Sequence, residues 1–128
     1  MGKPDRPTYE ERVAGFLEPG ERVERMVAGR PASFLNAFYP KGRITRQVVL
    51  TDRNLYVFEL EGSERRVAGT PSRVLSKHQR GSAPVRRRTL PATLIVGEEH
   101  IRLIQGMVAF GPVIARAAGA PGQAGGRG

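Results

Sequence analysis

Residues 47–60 read QVVLTDRNLYVFEL, two apolar runs parted by a polar break. Val48, Val49 and Leu50 on one side, and Leu55, Tyr56, Val57, Phe58 and Leu60 on the other, favour extended backbone, while Asp52, Arg53 and Asn54 supply turn chemistry between them. The stretch predicts a tight antiparallel hairpin with strands over roughly 43–51 and 54–61. Tyr56, Phe58 and Leu60 alternate with Glu59 and Glu61, the pattern of a strand with one buried face. Thr51 and Asp52 sit in or beside the turn, where an Asp side chain is expected to bond its own backbone rather than act in chemistry.

The same period recurs along the chain. Residues 21–30 read as a strand that Gly29-Arg30-Pro31 ends; 72–79 and 84–90 are weaker strands. A clearer pair, 92–97 and 100–105, turns through Gly97-Glu98-Glu99, which makes about seven strands in all. Two segments change period. At the N-terminus Thr8 and Glu11 form a T-x-x-E capping box, and Tyr9, Val13, Phe16 and Leu17 then share one face of a short helix that EPG at 18–20 stops. Near the C-terminus Met107, Phe110 or Gly111, Ile114 and Ala118 make a helical stripe, in which Pro112 must sit in the first turn or kink the helix. Residues 31–43 form a connection carrying Phe34, Phe38 and Tyr39, three of the eight aromatic residues, and are expected to fold over the core or over something else. Residues 1–7 and the Gly/Ala-rich 119–128 lack the apolar mass to order themselves, leaving one domain over 8–118.

With 128 residues, 39% of them hydrophobic, the chain is sized for one modest core. The absence of cysteine removes disulfides, thiolate metal sites and thiol catalysis. No apolar run follows the first residues as a signal peptide would, and the most apolar stretch is cut by Arg102, Gln105 and Arg116 well short of the roughly 18 residues a membrane span needs. A cytoplasmic protein, peripheral at most at the inner face of a membrane, is the expectation. The formal charge is +9, and much of it is local. Residues 62–90 carry Arg65, Arg66, Arg73, Lys77, Arg80, Arg86, Arg87 and Arg88 against Glu64 alone. Such a run attracts lipid headgroups, nucleic acid or an acidic partner. The bias to Arg over Lys, with abundant Gly, Ala and Pro, is equally what a GC-rich coding sequence produces with no ligand at all.

The order short helix, seven strands, helix, with FLEPGERV opening the first strand and VVLTDRNLYVFEL forming the next two, resembles the bacterial pleckstrin-homology-like (PH-like) domains over about residues 9–118. A Gly-Glu at the first strand and an L-T-D-R-x-L-Y-V-F hairpin recur in that group. The resemblance implies a mainly β fold, a bent antiparallel barrel of about seven strands whose open end is capped by the last helix. It also implies a binding or scaffold role, while the residue inventory, with two His, no Cys and no Gly-rich phosphate loop between a strand and a helix, offers no catalytic, cofactor or metal site. In lipid-binding members basic residues flank the first loop, and the matching positions are Arg30, Lys41, Arg43 and Arg46. Arg43 and Arg46 lie three apart, so a regular strand sends them to opposite faces, unlike an inositol-phosphate site. A general anionic lipid surface fits Lys41 and Arg43 beside Phe34, Phe38 and Tyr39.

PVRRRTL places Arg86 and Arg88 on one strand face and Arg87 on the other, a pair that can bridge a phosphate with help from Arg80 or Lys77, or can simply solvate an edge strand. RNA binding through residues 65–88 is the alternative; the absence of aromatics from 62–90 would limit it to phosphate contacts. His78 and His100 belong to no metal-ligand spacing. The sequence therefore points to a non-enzymatic module that contacts a protein partner or an anionic membrane, with self-association through a strand edge or the C-terminal helix also open.

Overall fold

The computed structural model describes residues 9–32, 43–64, 68–88, 93–104 and 107–119, apart from the side chains of Tyr9, Glu10 and Arg88. Thr8 of the capping box, the loop residues Phe34, Phe38, Tyr39 and Lys41, the pair Arg65 and Arg66, and residues 1–8 and 120–128 lie outside it. Helix α1 (Tyr9–Val13) runs into a 3-10 turn (Ala14–Phe16). Seven strands follow: β1 (Val23–Ala32), β2 (Arg46–Thr51), β3 (Asn54–Glu61), β4 (Thr70–Gln79), β5 (Val85–Arg88), β6 (Thr93–Val96) and β7 (Glu99–Leu103). Helix α2 (Phe110–Ala118) comes last, with Pro112 in its first turn.

The strands form one antiparallel sheet in the order β4-β3-β2-β1-β7-β6-β5. Only residues 80–84 separate β4 from β5, the two ends of that order. Six extended peptide units from Gln79 to Val85 reach at most about 20 Å. A flat sheet of this width would hold its edges roughly 29 Å apart. The sheet must bend. It does not close: β4 and β5 are not paired, and the end of α2 lies at the connection between them, where the N–H groups of Gly81 and Ala83 both donate to the Ala118 carbonyl at 2.7 and 3.1 Å. The barrel expected from the sequence is thus an open, bent sheet.

The inner side carries the main core, in which Val27, Val48, Leu50, Leu55, Val57, Val85, Leu94, Val96, Ile101 and Leu103 meet Ile114, Ala115 and Ala118 of α2. On the outer side Val49, Tyr56 and Phe58 are covered by Val13, with Phe16 and Leu17 packed alongside. Phe16 meets Phe58 edge-on at 5.2 Å between centroids, and Tyr56 stacks on Phe58 at 5.5 Å. β3 is therefore buried on both faces, not one, because the N-terminal helical segment lies over the face that a half-buried strand would show to water.

β1 also corrects the sequence expectation. It continues through Pro31 to Ala32 instead of stopping at Gly29. Pairing to β2 ends at Gly29↔Arg46, while pairing to β7 covers Gly29 to Ala32. Among the described residues Pro31 has a paired strand on one side only, so its missing N–H costs no described ladder bond.

Candidate functional site

Two places concentrate polar chemistry. The first joins the segment before β1 to the β2–β3 turn. Glu21 is buried, and its carboxylate accepts from the Tyr56 hydroxyl at 2.6 Å, the Glu18 backbone N–H at 2.8 Å, the Asn54 amide at 2.9 Å and the Thr51 hydroxyl. Burial is the largest single influence on its pKa and acts upward. The hydrogen bonds together outweigh it and hold the carboxyl below the ordinary value. Burial, with Glu21 as acceptor, pushes the Tyr56 phenol upward, so it stays protonated and donating. Asp52 does not bond its own turn: its carboxylate accepts from the Arg22 N–H at 3.0 Å, and its own N–H donates to the Arg22 carbonyl. Thr51 instead closes the turn, accepting from the Arg53 and Asn54 N–H groups. Gly20-Glu21 and LTDRNLY, the two motifs that carry the family resemblance, are thus bonded to each other. A carboxylate with four donors is a cross-link; it has no lone pair directed at solvent for a reacting group.

Beside this knot, Glu18 receives Lys77 at 2.9 Å and Arg53 at 3.5 Å, and Lys77 also lies 5.6 Å above the Tyr56 ring. Lys77, with Asn54, lowers the Glu18 pKa. An open depression here is lined by Glu18, Asp52, Arg53, Asn54, Gln79 and Arg80, a mixed-charge lining whose arginines already have acceptors.

The cations singled out in the sequence are spread over the molecule. Arg80 pairs with Glu24 at 2.6 Å and donates to the Thr51 carbonyl. Arg46 follows the inner-face parity of Val48 and pairs with Glu99 at 3.4 Å. Arg43 is exposed just before β2. Arg30 stands on the outer face directly opposite Arg102, and the register continues from Arg102 to Thr93 and from Thr93 to Arg88. Arg86, opposite Ile95, shares that outer face and is exposed. Arg87, opposite Leu94, takes the inner-face parity of Val85 and is also exposed. The run that is continuous in sequence is therefore divided between the two ends of the strand order, and on β4 Arg73 and Lys77 are matched by Glu59 and Glu18. His78 lies on β4 with its Nε2 buried and unpartnered, and His100 pairs in register with Ile95. Among the described residues no group of three His, Cys, Asp or Glu side chains is placed to hold a metal ion.

The second place lies at the C-terminal helix, which the sequence offered only as a surface for self-association, and includes Arg87 of the candidate cations. α2 packs on β5, β1 and β6 through Gly111, Ile114, Ala115 and Ala118. Its outward arc and the turn before it leave Val108, Phe110 and Val113 between 38% and 39% exposed, three of the four large apolar side chains so exposed among the described residues. The Arg25 guanidinium stands 5.6 Å over the Phe110 ring, and Arg116 lies exposed one turn beyond Val113. Arg87, exposed and two residues beyond the core residue Val85, shares Val85's inner-face parity on β5, a strand that α2 packs against. Among the described residues no carboxylate pairs with Arg25, Arg87 or Arg116. The signal in the sequence was Arg116 breaking an apolar run; Arg25 gave none, because only the strand register sets which face it takes. Among the described residues no helix is long and apolar enough to cross a membrane. Comparison of the chain with protein-family models, with curated proteins and with solved structures gives no match.

Proposed function

We propose that this chain is a non-enzymatic binding module of PH-like architecture that seats on an anionic membrane surface as a peripheral protein. The observation that carries the reading is charge segregation. Glu18, Glu24, Glu59 and Glu99 are each taken up by a cation, chiefly around β2, β3 and β4. Arg25, Arg86, Arg87 and Arg116, on and around α2 and β5, have no ion-pair partner among the described residues. Each such cation near an anionic leaflet contributes about 1 kcal/mol, and screening by salt removes it. The PH-like assignment is supported by the meander that ends in a helix over the inner face, and by the bonding of Gly20-Glu21 to the LTDRNLY hairpin. A continuous RNA-binding stripe over 65–88 is less well supported, because the described part of that run is split between β4 and β5 and its β4 cations are matched by acids.

Co-sedimentation with phosphatidylglycerol vesicles against phosphatidylcholine vesicles tests the reading. Recovery on the anionic vesicles at low salt, lost at high salt and reduced in an Arg25→Gln/Arg87→Gln/Arg116→Gln variant, is the expected result. Equal recovery on both vesicle types would overturn it. Retardation of generic RNA at the same ionic strength, without vesicle binding, would move the function to nucleic acid.

A further inference from the structure

The charge reading does not say how the protein is oriented on a bilayer. We infer that the outward arc of α2 is an interfacial anchor: Phe110 and Val113, with Val108, enter the headgroup and upper acyl region of an anionic bilayer while Arg25, Arg87 and Arg116 hold lipid phosphates around them. This rests on the membrane reading above and deepens it.

The exposed apolar residues are grouped. Phe110 and Val113 are one turn apart on α2, and Val108 lies in the turn leading into it. Their exposure is not forced by the core, since the opposite face of the helix already fills it with Ile114, Ala115 and Ala118. An aromatic ring with a guanidinium over it suits the water–lipid boundary, because the ring is buried in the interface while the cation stays level with the phosphates. After Glu99 the sequence contains no Asp or Glu, so the only charged side chain on α2 itself is Arg116. That complementarity selects an anionic bilayer over a second copy of this chain. A two-fold contact through this face would set Arg25, Arg87 and Arg116 against the same three cations of the second copy.

The chain contains no tryptophan, so a single introduced one reports its own environment. Phe110→Trp and Val113→Trp place the probe on the anchor; Val74→Trp, at an exposed position on edge strand β4, is the control. With phosphatidylglycerol vesicles, emission from the first two should shift to the blue and be quenched by lipids brominated high on the acyl chain, and the control should do neither. Phe110→Ser/Val113→Ser should weaken vesicle partitioning by about tenfold, the loss of one to two interfacially buried apolar side chains, with an unchanged circular dichroism melt and retained salt dependence. If the unmodified chain sediments with anionic vesicles but neither probe shifts, the anchor is wrong and the charge reading stands. If the unmodified chain does not sediment, both fall. A blue shift without vesicles that grows with protein concentration would assign the face to self-association and overturn the anchor.

Discussion

Glu21 shows how one side chain holds two distant stretches of chain in register. It stands thirty residues from Thr51 and thirty-five from Tyr56, yet bonds both and Asn54 between them. Replacing it with Ala leaves three buried side-chain donors without their acceptor, at a cost of about 3 kcal/mol, measurable as a lower denaturation midpoint. The pH dependence has a definite sign. A carboxyl whose folded pKa lies below its unfolded value contributes stability that is complete above about 4.5 and disappears as pH falls through the folded value. The unmodified protein should therefore lose stability below that pH more steeply than Glu21→Gln, which has no proton to take up there; parallel acid limbs in the two denaturation series would refute this. The Gly20-Glu21 and hairpin motifs were visible in the sequence, but their mutual bonding was not, because nothing local to either signals a partner thirty residues away.

At the scale of elements, β1 joins the two halves of the sheet, pairing with β2 over its first part and β7 over its last. Gly29 is the crossover, paired on both sides, and a Cβ there would lie 2.3 Å from the Arg102 carbonyl oxygen and 2.8 Å from Ile101 Cγ2. Gly29→Ala should lower stability by about 1–3 kcal/mol by prising β1 from β7. Gly15, in the 3-10 turn, has open space around its Cβ position and no positive φ. Gly15→Ala should be neutral or stabilising by up to about 1 kcal/mol, through the unfolded chain alone. The thermal melt should thus fall for Gly29→Ala and hold or rise for Gly15→Ala. The strands were legible from alternation because turn residues bound them: β2, β3, β6 and β7 fall close to their expected ranges. Pro31 misled because proline marks the end of a strand only where both neighbours are present.

For the whole molecule, the strand order places β4 and the four-residue β5 at the free ends and β1 at the centre, braced by α1 outside and α2 inside. Amide hydrogen exchange should be slowest through Val48–Leu50 and Leu55–Phe58, where both faces are buried, and fastest in β5; uniform protection across the sheet would contradict so unequal a distribution of burial. Element type and sequence, and a helix at either end of a β meander, could be read from periodicity, because side-chain alternation and helical spacing are local properties of a chain. What the charges do could not. Arg73, Lys77, Arg86 and Arg87 are neighbours in sequence, yet folding sends the first two to carboxylates on β3 and beside the β2–β3 turn and leaves the others on an edge next to α2. Arg25, one residue from the half-buried Met26, becomes the cation over Phe110. Register and the bending of the sheet assign those partners, and both arise from contacts between residues far apart in the chain, where no local pattern records them.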